Sequence, residues 1–374
     1  MSCAPEEVAK VESPAELDFQ TTDWPVDRGG GGLSGRVDDP APSQPGVEWT
    51  FESEAGFTAP AVIADGVVYV GSLIGTFYAL DAATGEVVWK ADGEDKIEAA
   101  ACVVGDRVLV GSESREFRAL DRETGGEIWK MRSRDKFSSG ANVFAAGDGE
   151  TRVLVNAYEG ITWCLRLADG KEVWSVKWSD RINGTPALLP GGEWLAFGGC
   201  DHSVHTMQLA DGKIVSSVAT EAYITNTAAT AGGVIYAGNY AGEVMAVKAG
   251  ASESEWIYRA GKLPFFSAPA VGDETVFIGS RDKHLHAIDR KTGECRWKFR
   301  TRGRVDSSPL LFRDAVVFGS WDGRLYALDP ESGEERWSLD LGEPLSGSPA
   351  FAGGRIFVGG NRGSLFSIRD LPRD

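Results

Sequence analysis

The sequence predicts an all-β protein, an eight-bladed β-propeller of four-stranded antiparallel blades. Three observations predict it: a tryptophan that returns at near-constant spacing, a strand-and-turn grammar that returns with it, and a chain end lacking the strand that the chain start supplies. Trp49, Trp89, Trp129, Trp174, Trp256, Trp297 and Trp337 follow one another at intervals of 40, 40, 45, 82, 41 and 40 residues. The interval of 82 holds one degenerate unit, with Ser216 where the tryptophan would fall. Four strands per unit at a period of about 40 residues mark a propeller blade.

Residues 1–45 read as a flexible N-terminal tether, and residues 46–374 as the propeller. The tether is rich in Glu, Pro and Asp and contains the run Gly29-Gly30-Gly31-Gly32, a composition that buries too little surface to fold alone. Trp24-Pro25 and Arg28-Gly29 stand out within it as points that would pin the tail to the propeller.

Each unit then opens on an inner strand after a Ser-Pro-like start, as at Thr58-Ala59-Pro60, Ser308-Pro309 and Ser348-Pro349. A second, apolar strand ends in Gly-Ser, as in Val68-Tyr69-Val70-Gly71-Ser72, because neighbouring blades cover both its faces. A tight turn such as Trp321-Asp322-Gly323 follows, with glycine supplying the backbone freedom of a hairpin. The third strand runs into Ala-Leu-Asp, and a Thr-Gly-Glu turn leads to the tryptophan of the outer strand. The last unit has three strands, through Leu365-Phe366, whereas Val47-Glu48-Trp49-Thr50-Phe51 is an outer strand without a blade. Joining the two closes the ring and removes an exposed sheet edge.

The net charge of −17 makes nucleic acid and anionic lipid poor partners for the molecule as a whole. No stretch is long and apolar enough to span a membrane. The five cysteines (3, 102, 164, 200 and 295) lack metal or redox spacing and read mostly as small buried residues. No leader peptide is legible. Met1-Ser2-Cys3 before a tether is what a trimmed lipoprotein leader would leave, so Cys3 is a candidate lipid anchor, the alternative being an ordinary exposed cysteine.

The motif Ala-x-Asp-x-x-Thr-Gly-x-x-x-Trp stands complete at Ala79-Asp81-Thr84-Gly85-Trp89, at Ala119-Asp121-Thr124-Gly125-Trp129 and at Ala287-Asp289-Thr292-Gly293-Trp297; Ala327-Asp329-Ser332-Gly333-Trp337 substitutes Ser for Thr. It resembles the tryptophan-docking motif of the PQQ-repeat propellers, in which a flat indole fills the space between blades and its N–H needs a fixed partner. The units around Trp174, Ser216 and Trp256 depart from it, with Cys164, Thr206 and Ala246 at the alanine position. The resemblance covers residues 47–370. It specifies fold strongly and function weakly.

That family implies two functions. Its quinoprotein dehydrogenases carry an adjacent Cys-Cys disulfide, a calcium site and a catalytic Asp. Its BamB-like branch is non-catalytic and works in outer-membrane protein assembly. No two cysteines are adjacent here and minimal blades consume nearly the whole chain, so the expectation is no enzyme and no cofactor, PQQ and Ca²⁺ being possible but unsupported.

Among the four histidines, His284-Leu-His286 would place two imidazoles on one strand face, but His286 and His205 align with Tyr78 and Tyr326, a structural position rather than a metal site. No Gly-x-Ser-x-Gly elbow or P-loop occurs. The loops joining one blade's outer strand to the next blade's inner strand carry more signal. Lys96, Lys136, Arg181 and Arg304 fall at one equivalent position, and Arg132, Arg134, Lys262, Arg300 and Arg302 crowd the same loops. Lys96, Arg132, Arg134, Lys136, Arg181, Lys262, Arg302 and Arg304 form the candidate partner-binding face, set against the alternative that Asp95, Asp135 and Asp180 pair locally with the cations after them. Phe57, Phe137, Ile182, Phe265 and Phe266 beside them read as inner-strand core or as interface anchors.

The resulting expectation is a monomeric, extracytoplasmic protein-binding scaffold, periplasmic or outer-membrane-associated, reaching a membrane only through a lipid anchor. The alternatives are a quinone- or small-ligand-binding propeller, and a glycan-binding one that would gather Trp178, Trp194 and Trp321 on one face.

Overall fold

The structure, a computed structural model, describes residues 23–371; Cys3 lies outside them. Eight antiparallel sheets of four strands each follow one another along the chain. Seven are sequential meanders, as in the first blade, with strands Val62–Ala64, Val67–Gly71, Phe77–Asp81 and Val87–Ala91. We call the strands of each blade A to D. The A strands contact one another around the axis and the D strands form the rim. The core sits between blades, where second and third strands of adjacent sheets bury Val, Leu, Ile, Phe and Ala.

The eighth blade closes the ring. Pro45–Glu52 pairs antiparallel with Ser364–Asp370, as the missing outer strand requires.

The docking motif now has a geometry. Asp81 Oδ1 accepts the N–H groups of Ala83 and Thr84 (both 2.9 Å) and the Thr84 hydroxyl (3.1 Å). The next residue, Gly85, has φ +75°, and a Cβ there would come within 2.8 Å of the Trp49 ring of the preceding blade. Each indole N–H donates to a backbone carbonyl of the next blade: Trp49 to Ala82 (3.1 Å), Trp89 to Arg122 (2.9 Å), Trp129 to Leu167 (2.9 Å), Trp174 to Leu209 (3.1 Å), Trp256 to Arg290 (2.9 Å) and Trp297 to Pro330 (3.1 Å). Trp337 donates to Pro42 (2.7 Å), in the segment that leads into the closing strand.

In the fourth blade Ser216 pairs with Thr206 in register, and both hydroxyl oxygens are buried without a partner. Trp194, from strand B of the same blade, packs within 3.3 Å of where a Gly250 Cβ would stand and covers the surface that a docking tryptophan would have covered.

The expected tether does not extend to residue 45. From Trp24 onward the chain is a strap that follows the ring across the channel on the face of the A–B turns. Trp24 exchanges backbone hydrogen bonds with Ile63 (2.8 Å each way), and Pro25 O accepts from Val103 N–H. Gly31 O accepts from Leu188, Gly32 O from Thr230, Ser34 O from Val271 and Gly35 O from Leu311. The Asn142 amide donates to Gly31 O (2.8 Å), so seven consecutive blades hold the strap. Trp24, Val26 and Leu33 are buried. Satisfied backbone groups and buried apolar side chains outweigh the ordering entropy that its composition alone suggests would win.

Candidate functional site

The strap leaves the channel blind. What remains is a funnel of about 180 Å³ opening on the face of the D–A loops and B–C hairpins. Its lower ring carries hydroxyls that tie blade to blade: Gly140 N–H donates to Thr185 Oγ1 (3.0 Å), Thr185 N–H to Thr227 (3.2 Å), Ala268 N–H to Ser308 (2.9 Å) and Ser308 N–H to Ser348 (3.0 Å). Asp27 of the strap forms the floor, and burial raises its pKa above the ordinary carboxylate value. Arg28 beside it is also buried; one guanidinium nitrogen donates to Pro269 O (3.1 Å), and burial lowers its pKa to about 10.

The charged residues lining the funnel are Asp27, Glu98 and Asp306. A quinone bearing three carboxylates would meet carboxylates there and no lysine or arginine, so this lining does not fit PQQ. Among the described residues no group of three or more His, Cys, Asp or Glu is placed to hold a metal ion. Cys102, Cys164 and Cys200 are buried, burial pushing the Cys164 thiol up to about 12. Cys295, by contrast, is exposed on an outer strand.

His205 and His286 are structural, as their alignment with tyrosines implies. His286 Nε2 bonds Asp282 four residues earlier (3.0 Å) and its Nδ1 meets the Tyr258 hydroxyl (3.0 Å). His205 Nε2 bonds Asp201 (3.0 Å) and its Nδ1 meets Ser217 (2.8 Å). In the seventh blade Tyr326 donates to Asp322 (3.0 Å). The Asp-His-Ser contact is therefore one version of a recurring tie between hairpin and strand, and Tyr258 takes the place of Ser217 in another.

The eight candidate cations all lie on the D–A loop face, but they do not form one uniform patch. Lys136 pairs with Glu113, and Arg132 with Glu116 (3.0 Å) and Glu94 (3.7 Å). Arg304 forms an ion pair with Asp306 (2.9 Å) and lies 3.5 Å over the Trp321 ring. Arg181 and Lys136 flank the Tyr158 ring at 5.2 and 5.3 Å. The side chains of Lys96, Arg134, Lys262 and Arg302 are exposed and make no ion pair among the described residues. Local pairing by the preceding aspartates does not occur. Asp95, Asp135 and Asp180 each accept the backbone N–H of the following residue (2.8 Å) and shape the loop instead.

Phe57, Phe137, Ile182 and Phe265 are fully buried core, while Phe266 is half-buried at the mouth of the funnel. Sequence reasoning missed the residues joined to Phe266. An aromatic run crosses from the fourth blade to the start of the sixth: His202 to Tyr223 (4.7 Å between ring centres), Tyr223 to Tyr240 (6.2 Å) and Tyr240 to Phe266 (5.7 Å). Arg281 stacks 3.6 Å over Phe266 and shares Asp306 with Arg304, which leads to Trp321. Tyr223 and Tyr240 are 46% and 47% exposed, unusual for rings this large. They lie in hairpins and loops of unrelated local sequence, so no periodic signal marks them.

The glycan-binding arrangement is not formed. Trp178 is buried with its N–H on Thr162 (3.0 Å), Trp194 stands near the opposite face, and Trp321 lies beneath Arg304.

The family model described as outer membrane protein assembly factor BamB matches residues 33–136, 114–194 and 200–374. This chain belongs to that PQQ-repeat family. Among solved structures, BamB from Moraxella catarrhalis is 18% identical with a TM-score of 0.71, over 88% of this chain and 99% of that one. Two quinohemoprotein alcohol dehydrogenases share the fold: that of Comamonas testosteroni (14% identity, TM-score 0.77, 95% of this chain and 82% of that one) and ADHIIG of Pseudomonas putida HK5 (13%, 0.78, 97% and 85%). No curated protein matches by sequence. The PQQ-repeat architecture is thus shared with both branches, and the chain's own site must separate them.

Proposed function

We propose that this chain is a non-catalytic protein-binding scaffold of the bacterial envelope, serving outer-membrane protein assembly through its D–A loop face as a monomer. The observation that carries the reading is the run of exposed aromatics and stacked arginines on that face, above a funnel whose floor is the chain's own Asp27. Aromatic and arginine side chains held rigid by their neighbours lose little entropy on binding, which suits protein recognition. The family model of an assembly factor supports the same role.

The quinoprotein reading draws on the fold shared with the two dehydrogenases. Calorimetric titration with PQQ, with and without calcium, separates the two. The scaffold reading expects no saturable heat. Tight calcium-dependent binding would overturn it.

A further inference from the structure

One part of the loop face gathers several exposed cations. Around the B–C hairpin of the sixth blade stand Lys262, Lys283, Arg300 and Arg302, all exposed and, among the described residues, none in an ion pair. Backbone contacts bring them together. Thr301 N–H donates to Lys283 O (2.9 Å), His284 pairs with Arg300 in register, and Arg281 N–H donates to Pro264 O (3.1 Å), next to Leu263.

The carboxylates of this region are already engaged. Asp282 holds His286, Asp306 is shared by Arg281 and Arg304, and Asp322 accepts from Arg302 N–H (2.9 Å) and the Tyr326 hydroxyl (3.0 Å). None of these carboxylates forms an ion pair with the four cations, which leaves a local excess of positive charge here on a protein of net charge −17. Among them lies an apolar step: Leu263, 51% exposed, whose carbonyl stands 2.8 Å from where a Gly242 Cβ would be, in the hairpin that also carries Tyr240, 47% exposed.

We propose that the top of the sixth blade docks an acidic segment of a protein partner, carboxylates meeting the four cations and an apolar side chain resting on Leu263 and Tyr240. The proposal rests on the scaffold reading and names the chemistry of one of its partners. Charge complementarity selects an acidic segment, and the exposed apolar step selects a polypeptide over a simple polyanion. The Arg281–Phe266 and Arg304–Trp321 stacks, joined through Asp306, hold the surface in shape before a partner arrives.

The test is fluorescence anisotropy of the whole chain with three labelled peptides of equal length: glutamate with phenylalanine, glutamate with serine, and lysine with phenylalanine. The first is expected to bind tightest, with affinity falling as salt rises. The double variant Lys262→Glu/Arg302→Glu is expected to weaken it roughly tenfold or more, and Leu263→Ser to weaken it while leaving its salt dependence intact. Arg313→Glu, an exposed residue on the opposite, A–B turn face, is expected to leave it unchanged. Equal binding by the double variant and the unaltered chain would overturn the proposal. So would binding of phosphatidylglycerol vesicles without binding of the acidic peptide. Either failure leaves the scaffold reading to its own test, since that reading concerns the whole loop face and the absence of quinone binding.

Discussion

The Thr185 hydroxyl contacts the Asp27 carboxylate at 3.4 Å across 158 residues of sequence, while its oxygen also accepts the Gly140 N–H at 3.0 Å. One side chain thus ties the strap to the fourth blade and the fourth blade to the third. It also places a buried carboxyl at the bottom of the funnel.

That burial has a pH signature. The unfolded Asp27 carboxyl titrates near 3.8 and the folded one higher, because burial disfavours the charged form. Stability linked to the protonated form is fully present below 3.8 and is lost as pH rises through the folded value. Asp27→Asn, permanently neutral and still able to accept from Thr185, is expected to stabilise the protein at pH 8 and to change little at pH 3.5. Urea midpoints of the two proteins at both pH values check this.

The docking tryptophans are expected to dominate stability. Trp297→Ala removes an indole packed beside Phe277 and Gly333 and leaves the Pro330 carbonyl without its donor. The cost is expected to be about 3–5 kcal/mol, read from denaturant unfolding. Ser216→Trp at the degenerate position is expected to destabilise rather than restore the pattern, by about 1–3 kcal/mol, because Trp194 already covers Gly250.

The strap is expected to respond to one glycine. Gly29 has φ +86°, and a Cβ there would lie 2.3 Å from the Trp24 ring. Gly29→Val is therefore expected to dislodge the strap. Limited proteolysis should then cut between residues 24 and 37 in the variant and spare the unaltered chain.

Reversing charge at Lys136, Arg181 and Arg304 together is expected to leave the fold intact and cost about 1 kcal/mol or less per residue, since each is a partly exposed loop side chain. Circular dichroism melts check it. A collapse of the fold would make these residues structural rather than part of a binding face.

The ring was legible because its determinants repeat. Asp81, Thr84, Gly85 and Trp89 recur with their counterparts in other blades, and each performs the same geometric task every time. The closing strand was legible for the same reason. The strap was not, since Gly29 to Gly32 carry no periodicity and glycine-rich chain reads as disordered; its glycines instead let backbone pass close to seven blades. Of the binding face, the cations were legible in aligned loops. Their partners were not: Glu113, Glu116 and Asp306 reach them from neighbouring strands and loops, and only the folded ring brings Tyr240, Phe266 and Arg281 together.

The most direct measurement is surface-plasmon binding of a purified outer-membrane barrel-assembly complex, stripped of its own propeller subunit, to the immobilised chain. Saturable binding is expected, abolished by the Lys136, Arg181 and Arg304 charge reversals and retained when charges on the A–B turn face, such as Arg313, are reversed. Binding that survives reversal on the loop face but disappears with reversal on the opposite face would contradict the assignment.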